Sequence, residues 1–273
     1  MKQIRFDIDK KIRLDEFLKS NHISKNLFLS IYKDDIFING KHAKRNSKLK
    51  PGDKVAINLR NEENNYKPIN LYIEVLYEDD DIFVLNKPDK LTMNTDGEES
   101  LANFVSYLFK QRNINQKVRF INRLDQDTSG VVMVAKNKIA QAYYQKNSFE
   151  KKYLAIVKGN PKNQKIELNL KRHGIKTEID ENGKNSVTIL QNLKNYGDYS
   201  LVSLKLVTGR THQIRVSMEY INCPIVADSL YGEKIEGFSQ MLHANEIEFV
   251  DMKRNEHIIT TEIPQRFNKF LNN

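Results

Sequence analysis

Residues 120–136 read Phe-Ile-Asn-Arg-Leu-Asp-Gln-Asp-Thr-Ser-Gly-Val-Val-Met-Val-Ala-Lys. An apolar pair leads into a polar group that contains Arg123 and Asp125, and the apolar run 131–135 then predicts a buried strand. Gly130 permits a tight backbone between the two. The pattern therefore delivers a polar loop into a hydrophobic core, where a partly desolvated carboxylate is either a costly structural ion or a reactive group.

The same stretch also fits a simple turn. Asp and Ser side chains readily bond their own backbone, so this composition is common between two apolar runs. Asp125 and Asp127 resemble a magnesium-binding pair, but two such carboxylates more often form caps and turns, and we expect no metal. The stretch alone leaves a turn and a catalytic loop both open.

Length and composition restrict the class of protein. The chain has 273 residues, enough for two domains with a substantial core. Its single cysteine, Cys223, excludes a disulfide framework and a multi-cysteine zinc site, and it suggests a reducing compartment. The N-terminus lacks an apolar signal core, and no apolar run is long enough to cross a membrane. We expect a soluble, cytoplasmic protein with no membrane partner.

Positive charge is concentrated at the start of the chain. Residues 1–60 hold 15 Lys or Arg against 7 Asp or Glu, which accounts for eight of the nine net positive charges. Such a local excess is typical of a surface that neutralises phosphates. Because no segment combines a basic helix with a bulky aromatic face, nucleic acid is favoured over an anionic membrane.

Local patterns in this basic segment predict a small α/β unit. Helical spacing of apolar residues predicts a helix over 13–20, and Ser24 could cap a second helix. Alternating apolar residues beside Asn39-Gly40 and Pro51-Gly52 predict strands on either side of a basic loop.

The order of these motifs resembles the RNA-binding domain named after ribosomal protein S-four. The resemblance covers residues 12–59 and rests on Arg-Leu-Asp-Glu-Phe-Leu, Ile-Phe-Ile-Asn-Gly-Lys and Leu-Lys-Pro-Gly-Asp-Lys-Val. It implies a module that grips structured RNA through basic groups. The candidate RNA contacts are Arg13, Lys41, Lys44, Arg45 and Lys48.

We expect three parts in the chain: the basic domain 1–60, a linker of low ordering tendency over 61–70, and a second domain over 71–273. Periodicity in the second domain predicts strands over 72–77, 81–86, 152–159, 187–190, 199–207, 246–250 and 257–263. It predicts helices over 100–112, 138–149 and 213–220, the second of them with Ile139, Ala142 and Tyr143 inward.

Signatures of several enzyme classes are absent from the sequence. No two glycines are spaced as G-x-G and no G-x-x-x-x-G-K occurs, so nucleotide-phosphate cradles of these kinds are excluded. The 6 histidines occur singly and without H-E-x-x-H, which disfavours a zinc site of that type.

Five further motifs, in order between residues 72 and 264, resemble those of the RluA-type pseudouridine synthases. They are Asn-Arg-Leu-Asp-Gln-Asp-Thr-Ser-Gly (122–130), Lys-Lys-Tyr-Leu-Ala-Ile-Val-Lys-Gly (151–159), Thr-Gly-Arg-Thr-His-Gln-Ile-Arg (208–215), Pro-Ile-Val-Ala-Asp-Ser-Leu-Tyr-Gly (224–232) and Leu-His-Ala (242–244). The resemblance implies an α+β fold, in which a small α/β RNA-binding domain precedes a catalytic domain with a mixed, largely antiparallel sheet. It also implies an isomerase that converts uridine in structured RNA to pseudouridine.

The resemblance implies roles for four residues. Asp125 corresponds to the essential catalytic aspartate and Arg215 to its ion partner. Tyr153 corresponds to the ring that faces the target base, and Arg123 to the arginine that fills the gap left by an extruded base. A planar cation in that gap would stabilise the flipped state. Further candidate substrate contacts are Arg210 and His212.

Two routes for Asp125 remain open. The carboxylate could attack the anomeric carbon of the ribose, or it could take the proton from the adjacent ribose carbon to give a glycal intermediate. Tyr153 would offer the turning uracil a flat wall and could relay a proton through its hydroxyl. The reaction is redox-neutral, so no cofactor is expected.

Large-subunit ribosomal RNA is the expected substrate, because family members with the N-terminal domain mostly act on it, and transfer RNA is the alternative.

Two positions depart from the family pattern. Asn122 stands where the family most often has His, and Met93-Asn94-Thr95 replaces a Val-His-Pro-like turn. We interpret both departures as altered support or RNA contacts. A non-catalytic ribosome-assembly factor and a metal-dependent nuclease using Asp125 and Asp127 are the rival hypotheses. We expect a monomer without an obligate protein partner.

Overall fold

The structure of the chain is a computed structural model that describes residues 3–21, 23, 35–44, 46–95, 99–147 and 149–272.

The N-terminal part contains a small antiparallel sheet and one short helix. Its elements are β1 (Gln3–Asp7), β2 (Ile12–Arg13), α1 (Leu14–Ser20), β3 (Ile36–Ile38), β4 (Lys41–His42), β5 (Lys48–Leu49) and β6 (Lys54–Asn58). The sheet has the order β1-β6-β3-β4, and β2 pairs with β5 beside it. Leu14 and Leu18 of α1 share one apolar core with Val55 and Ile57 of β6. Ile139, from a helix much later in the chain, also belongs to this core.

The predicted Asn39-Gly40 turn is confirmed. Its two residues have φ of 50° and 80°, the left-handed pair that a tight hairpin turn between β3 and β4 requires. The second predicted helix, which would begin at Ser24, lies outside the described residues.

The rest of the chain builds an 11-stranded sheet. Its strands are β7 (Val75–Glu78), β8 (Ile82–Lys87), β9 (Arg119–Phe120), β10 (Ser129–Ala135), β11 (Glu150–Lys158), β12 (Gln164–His173), β13 (Lys176–Ile179), β14 (Lys184–Tyr196), β15 (Tyr199–Leu206), β16 (Leu242–Val250) and β17 (Glu256–Thr260). The order is β13-β12-β14-β15-β11-β16-β10-β8-β7, with β17 on β16 and β9 on β10. The β10–β16 pair is parallel and the other described pairs are antiparallel, which confirms the predicted α+β class with a mixed, largely antiparallel sheet.

Four helices accompany this sheet in the described part of the chain. They are α2 (Leu101–Gln111), α3 (Lys138–Lys146), α4 (Gln213–Tyr220) and α5 (Gln265–Leu271). Ser100 caps α2 as predicted, in a reciprocal capping box with Asn103. The prediction for α4 is confirmed over 213–220, whereas α3 ends three residues before the predicted 149. Each helix in the described part of the chain is too short or too polar to span a lipid bilayer.

The buried face of α3 differs by one position from the prediction. Ile139 and Tyr143 are buried as expected, but Ala142 is half-buried. Ala140 and Tyr144 are buried instead, because residues one and four positions apart complete the same stripe of a helix.

Gly130 fixes how the polar loop enters the sheet. Its φ is 113°, and a Cβ at this position would lie 2.1 Å from the carbonyl oxygen of Ala244 on β16. This close approach accompanies the parallel pairing of Gly130 with Ala244. Since only glycine fits both the backbone angle and the space, the loop before β10 is anchored at one point of the sheet.

The segment 61–70 contains no helix or strand, but it is held along its length, so the expectation of low ordering was wrong. Glu62 forms an ion pair with Arg119 at 2.7 Å. Asn64 donates to Ser106 on α2 at 3.1 Å, and Ser106 donates to the Tyr66 carbonyl at 2.7 Å. Polar residues here match polar partners on α2 and β9, which the local sequence does not reveal.

Several elements were not predicted, among them β1, β9, the β12–β13 hairpin and α5. The hairpin of β12 and β13 extends the sheet at one edge and buries Ile166, Leu168 and Leu170 on one face. Helix α5 buries Phe267 in the main core.

Candidate active site

A cleft of about 610 Å³ opens beside the loop that precedes β10. Asp125 from this loop and Tyr153 from β11 line it together. A smaller pocket shares both residues and reaches Arg215 on α4. The polar and charged lining of the cleft includes Asn94, Arg123, Asp125, Lys151, Tyr153, Arg172, Arg210 and His212.

Asp125 and Arg215 form the ion pair that the family resemblance implied. Nη1 of Arg215 donates to Oδ2 of Asp125 at 2.9 Å. The Asp125 side chain is 33% exposed, whereas that of Arg215 is only 10% exposed. The carboxylate thus has a fixed cation on its protein side and an open face toward the cleft.

Arg215 is itself held by Asp228, which the sequence prediction did not single out. Nε and Nη2 of Arg215 donate to the two carboxylate oxygens of Asp228 at 2.7 and 2.8 Å. The amide of Gln240 and the backbone N–H of Leu230 also donate to Asp228. Burial alone would raise the pKa of Asp228, but the hydrogen bonds and the charge of Arg215, together with the backbone N–H groups of Leu230 and Tyr231, outweigh burial and lower the pKa. The result is a rigid Asp125–Arg215–Asp228 arrangement in which the bidentate pair aims the remaining guanidinium nitrogen.

Tyr153 presents a neutral phenol to the cleft. Its side chain is 5% exposed, and it stands at the point where β11 pairs with Ala244 of β16. Burial, and then the nearby charge of Asp125, raise the pKa of its hydroxyl. The ring therefore offers an apolar wall beside the carboxylate, with a hydroxyl that keeps its proton at neutral pH.

His212 is the N-cap residue directly before α4 and has a left-handed backbone conformation, with φ of 53°. Its Nε2 lies 3.6 Å from Oδ2 of Asp125, and its Nδ1 lies 2.9 Å from the hydroxyl of Tyr231. Burial lowers the pKa of His212, so the ring is neutral near pH 7. A neutral imidazole here can offer one N–H to the cleft.

Positive side chains surround the open face of Asp125. Arg123 is exposed, with Nη2 at 3.5 Å from Oδ1 of Asn94. Arg210 donates to the Asn185 carbonyl at 3.1 Å and remains exposed. Arg172 reaches the same cleft from the β12–β13 hairpin. These cations create the electrostatic surface that a phosphate backbone requires.

Lys87 ties the loop that carries Asp125 to the end of β8. Its side chain is buried, and its ammonium group donates to the carbonyls of Pro88, Leu91 and Gln126 at 2.9, 2.7 and 2.9 Å. Burial lowers the pKa of Lys87 to about 8, against the charge of nearby aspartates. Lys87 directly follows the predicted strand 81–86, but the sequence gave no signal for this role.

Asn122, which stands where the family most often has His, forms two hydrogen bonds with the backbone of β10. Its amide donates to the Val131 carbonyl at 3.0 Å, and its oxygen accepts from the N–H of Met133 at 2.7 Å. Asn122 thus closes the loop onto β10 from within the core.

Other predicted residues lie apart from the cleft. Asp127 is exposed and does not line it, and no group of three metal-ligating side chains occurs among the described residues. Arg13 pairs with Asp15 at 3.0 Å on the N-terminal part. Arg45 lies outside the described residues. Lys41, Lys44 and Lys48 of that part are exposed.

Comparisons with known proteins agree with this geometry. Residues 81–220, half of the chain, match the RNA pseudouridylate synthase family. The ribosomal large subunit pseudouridine synthase D of Borreliella burgdorferi is 37% identical over 229 residues, which cover 76% of this chain and 70% of that protein. The ribosomal large subunit pseudouridine synthase C of Buchnera aphidicola is 31% identical over 283 residues, which cover 92% of this chain and 90% of that protein. The solved human RNA Pseudouridylate Synthase Domain Containing 4 shares the fold, with a TM-score of 0.63 at 22% identity over 72% of this chain and 91% of that chain.

The fold and the matches define an enzyme that isomerises uridine in RNA. The chain belongs to the RNA pseudouridylate synthase family, and its motifs are of the RluA type.

Proposed function

We propose that this pseudouridine synthase modifies large-subunit ribosomal RNA and that Asp125 is its catalytic aspartate. The observation that carries the second part is the placement of Asp125, which has one carboxylate oxygen on Arg215 and an open face in the cleft. The first part is supported by the names of the relatives from Borreliella burgdorferi and Buchnera aphidicola, both of which specify the large ribosomal subunit.

In the proposed reaction, the bond between the ribose and a ring nitrogen of uracil breaks, the uracil turns, and a new bond forms at a ring carbon. That carbon loses its hydrogen and the freed nitrogen gains one, so atoms and electrons balance without an oxidant. Asp125 acts at the ribose, either by attack on the anomeric carbon or by removal of the proton from the adjacent carbon. Arg215 engages Oδ2, and within the described residues Oδ1 has no hydrogen-bond partner, which leaves it for the substrate.

Tyr153 is proposed as the wall against which the uracil turns. A detached base must keep contact with the enzyme and yet rotate, and a flat apolar ring permits this better than hydrogen bonds that fix one orientation. Its raised pKa keeps the hydroxyl protonated, so the hydroxyl can donate to the base.

Base flipping is proposed to involve Arg123. This side chain is exposed at the mouth of the cleft and is not engaged in an ion pair in the described part of the chain. A guanidinium plane can stack where the uridine has left the helix, which lowers the free energy of the flipped state. Arg210 and His212 are proposed as further contacts to the same nucleotide.

The basic segment 1–60 is proposed as a separate RNA-binding module, with 61–70 as its connection to the catalytic domain 71–273. Its exposed Lys41, Lys44 and Lys48 leave positive charge available for phosphates. All proposed catalytic side chains come from one chain, so the proposal requires no partner subunit.

The test maps pseudouridine by carbodiimide modification in ribosomal and transfer RNA from cells that lack the gene. The cells are re-supplied with the native chain, with Asp125→Asn or with the exposed-carboxylate control Asp127→Asn. We expect sites in large-subunit ribosomal RNA that return with the native chain and the control but not with Asp125→Asn. Sites that return only in transfer RNA would overturn the substrate, and full restoration by Asp125→Asn would overturn the catalytic assignment.

A further inference from the structure

Lys151 is a cation on the catalytic strand that lacks an anionic partner. It lies on β11 two residues before Tyr153, and side chains two apart on a strand share a face. Both side chains line the cleft. Among the described residues, no carboxylate or carbonyl accepts a hydrogen bond from its ammonium group.

The neighbouring Lys152 lies on the opposite face of β11 and, unlike Lys151, has carboxylate partners. Nζ of Lys152 binds Glu246 at 2.5 Å and Glu248 at 3.0 Å, both on the adjacent strand β16. Lys152 is therefore neutralised within the sheet, whereas Lys151 is not.

An unpaired, half-buried ammonium group is unfavourable in the free enzyme. Burial lowers the pKa of Lys151, as expected where no anion offsets the loss of water. The centroid of the Phe149 ring lies 4.8 Å from Nζ, and this weak cation–π contact does not replace an anion. A half-buried lysine that has no anionic partner in the free enzyme and lines an active cleft is typical of a residue that pairs with an anionic group of the bound ligand.

We propose that Lys151 binds a phosphate of the flipped uridine nucleotide and thereby positions that nucleotide against Tyr153 and Asp125. This inference rests on the proposed function. The RNA backbone is the anion that the substrate brings into the cleft, and side chains two apart on a strand are separated by about 7 Å. A base lying on Tyr153 therefore has its own sugar and phosphate beside the neighbouring side chain on the same face.

The proposed partner of Lys151 is a phosphate rather than a uracil carbonyl, because the ammonium group lacks an anion and a carbonyl carries no net charge. Arg210 already donates to the Asn185 carbonyl, and Asp125 is already paired with Arg215. Lys151 is thus the unpaired cation of the cleft that lies on the same strand as Tyr153.

The test uses four forms of the full chain: native, Lys151→Met, Lys151→Arg and the control Lys152→Met. The probe is total RNA from cells that lack the gene, labelled with tritium at the uracil carbon that forms the new bond, so that turnover releases tritium. For Lys151→Met we expect KM to rise about tenfold, the effect of losing one charge-assisted hydrogen bond, while Lys151→Arg retains most of the affinity. Lys152→Met is expected to resemble the native chain, and circular dichroism checks the fold of every variant.

RNA binding is measured separately, against salt concentration, with each change placed in an Asp125→Asn background. Loss of a phosphate contact reduces the slope of log affinity against log salt by about one unit. An unchanged slope and KM for Lys151→Met, or equal effects of Lys151→Met and Lys152→Met, would overturn the proposal. A fall in kcat with an unchanged salt slope would mean that Lys151 contacts the base instead. Because binding does not depend on turnover, failure of the catalytic role of Asp125 would appear only in tritium release.

Discussion

The hydroxyl of Tyr231 lies 2.9 Å from Nδ1 of His212, at the point where the β12–β13 hairpin meets the cleft. The same hydroxyl accepts from the N–H of Thr177 at 2.7 Å, and the Thr177 carbonyl at 3.1 Å is a second acceptor, besides Nδ1, for its single proton. If Tyr231 donates to Nδ1, the neutral imidazole carries its proton on Nε2, which faces Asp125 at 3.6 Å. The opposite tautomer would place the lone pair of Nε2 against Oδ2 of Asp125, two acceptors face to face. We therefore infer that Nε2 carries the proton and that Tyr231 donates to Nδ1 rather than to the Thr177 carbonyl.

Replacing Tyr231 with Phe keeps the ring that lies 4.9 Å from the Arg215 guanidinium and removes only the hydroxyl. We expect kcat to fall about tenfold, the effect of losing the hydrogen bond to His212. Donation to Nδ1 stabilises the neutral ring, so its loss raises the pKa of His212 and moves the acidic limb of the pH–rate profile to higher pH. Tritium release between pH 5 and 8 measures both effects.

The control for this variant is Tyr144→Phe. The Tyr144 hydroxyl is buried and has no hydrogen-bond partner among the described residues, so its removal should leave the profile unchanged. A Tyr231→Phe profile identical to the native one would show that the hydroxyl does not set the tautomer.

A substitution of Asp228 tests whether Arg215 requires its bidentate ion pair in order to position Asp125. In Asp228→Asn the bidentate ion pair is lost, because an amide offers one acceptor oxygen and no charge, and the contact of Arg215 with Asp125 at 2.9 Å becomes its remaining ion pair. We expect kcat to fall about 100-fold, because small displacements of a catalytic group have effects of this size, with KM little changed. Single-turnover tritium release separates chemistry from binding.

Asp89→Asn is the matched control, since Asp89 pairs with Arg266 at 3.6 Å and lies outside the lining of the cleft. Retention of the native kcat by Asp228→Asn would mean that Arg215 needs no second carboxylate.

The sequence predicted those features that depend on local periodicity or on a short motif. Helix α4 follows from the spacing of its apolar residues, and the Asn39-Gly40 turn follows from residues that tolerate positive φ. The contact of Asp125 with Arg215 came from the family resemblance, because the two are 90 residues apart and no local rule pairs them.

Features that depend on tertiary register were missed. The alternation of Ile166, Leu168 and Leu170 is a local strand signal, but the reach of Arg172 into the cleft depends on how β12 pairs with β14. The three carbonyls around Lys87 come from irregular backbone, which has no periodicity to detect.

Substitution of Gly130 measures how much the close approach of the loop to β16 contributes to the free energy of unfolding. An alanine there would combine a φ of 113° with a Cβ at 2.1 Å from the Ala244 carbonyl oxygen. We expect the free energy of unfolding to fall by at least about 3 kcal/mol, from backbone strain and overpacking together. Urea denaturation measures this change, and we also expect activity to fall because the loop carries Asp125.

Gly197→Ala separates the two causes. Gly197 also has positive φ, 62°, but a Cβ there would meet nothing within 4 Å. Its variant should lose only about 1 kcal/mol. Equal losses in the two variants would mean that the contact with Ala244 does not determine the requirement for glycine.

Lys87 should make stability depend on pH in an unusual direction. Its pKa in the folded chain is about 8, below the ordinary value of 10.5. Between these two values the unfolded chain binds more protons than the folded chain, so the contribution of Lys87 to the free energy of unfolding rises with pH. Relative to Lys87→Met, the free energy of unfolding of the native chain should increase by up to about 3 kcal/mol as the pH increases through this window.

Urea denaturation of both forms at several pH values isolates the contribution of Lys87, because tyrosines and other groups titrate alike in both. Lys152→Met is the control, since the carboxylates of Glu246 and Glu248 raise the pKa of Lys152 and its contribution is lost only above the ordinary value. A constant difference between the native chain and Lys87→Met would show that the three carbonyls hold the ammonium group as well as water does, and that burial of Lys87 carries no penalty at neutral pH.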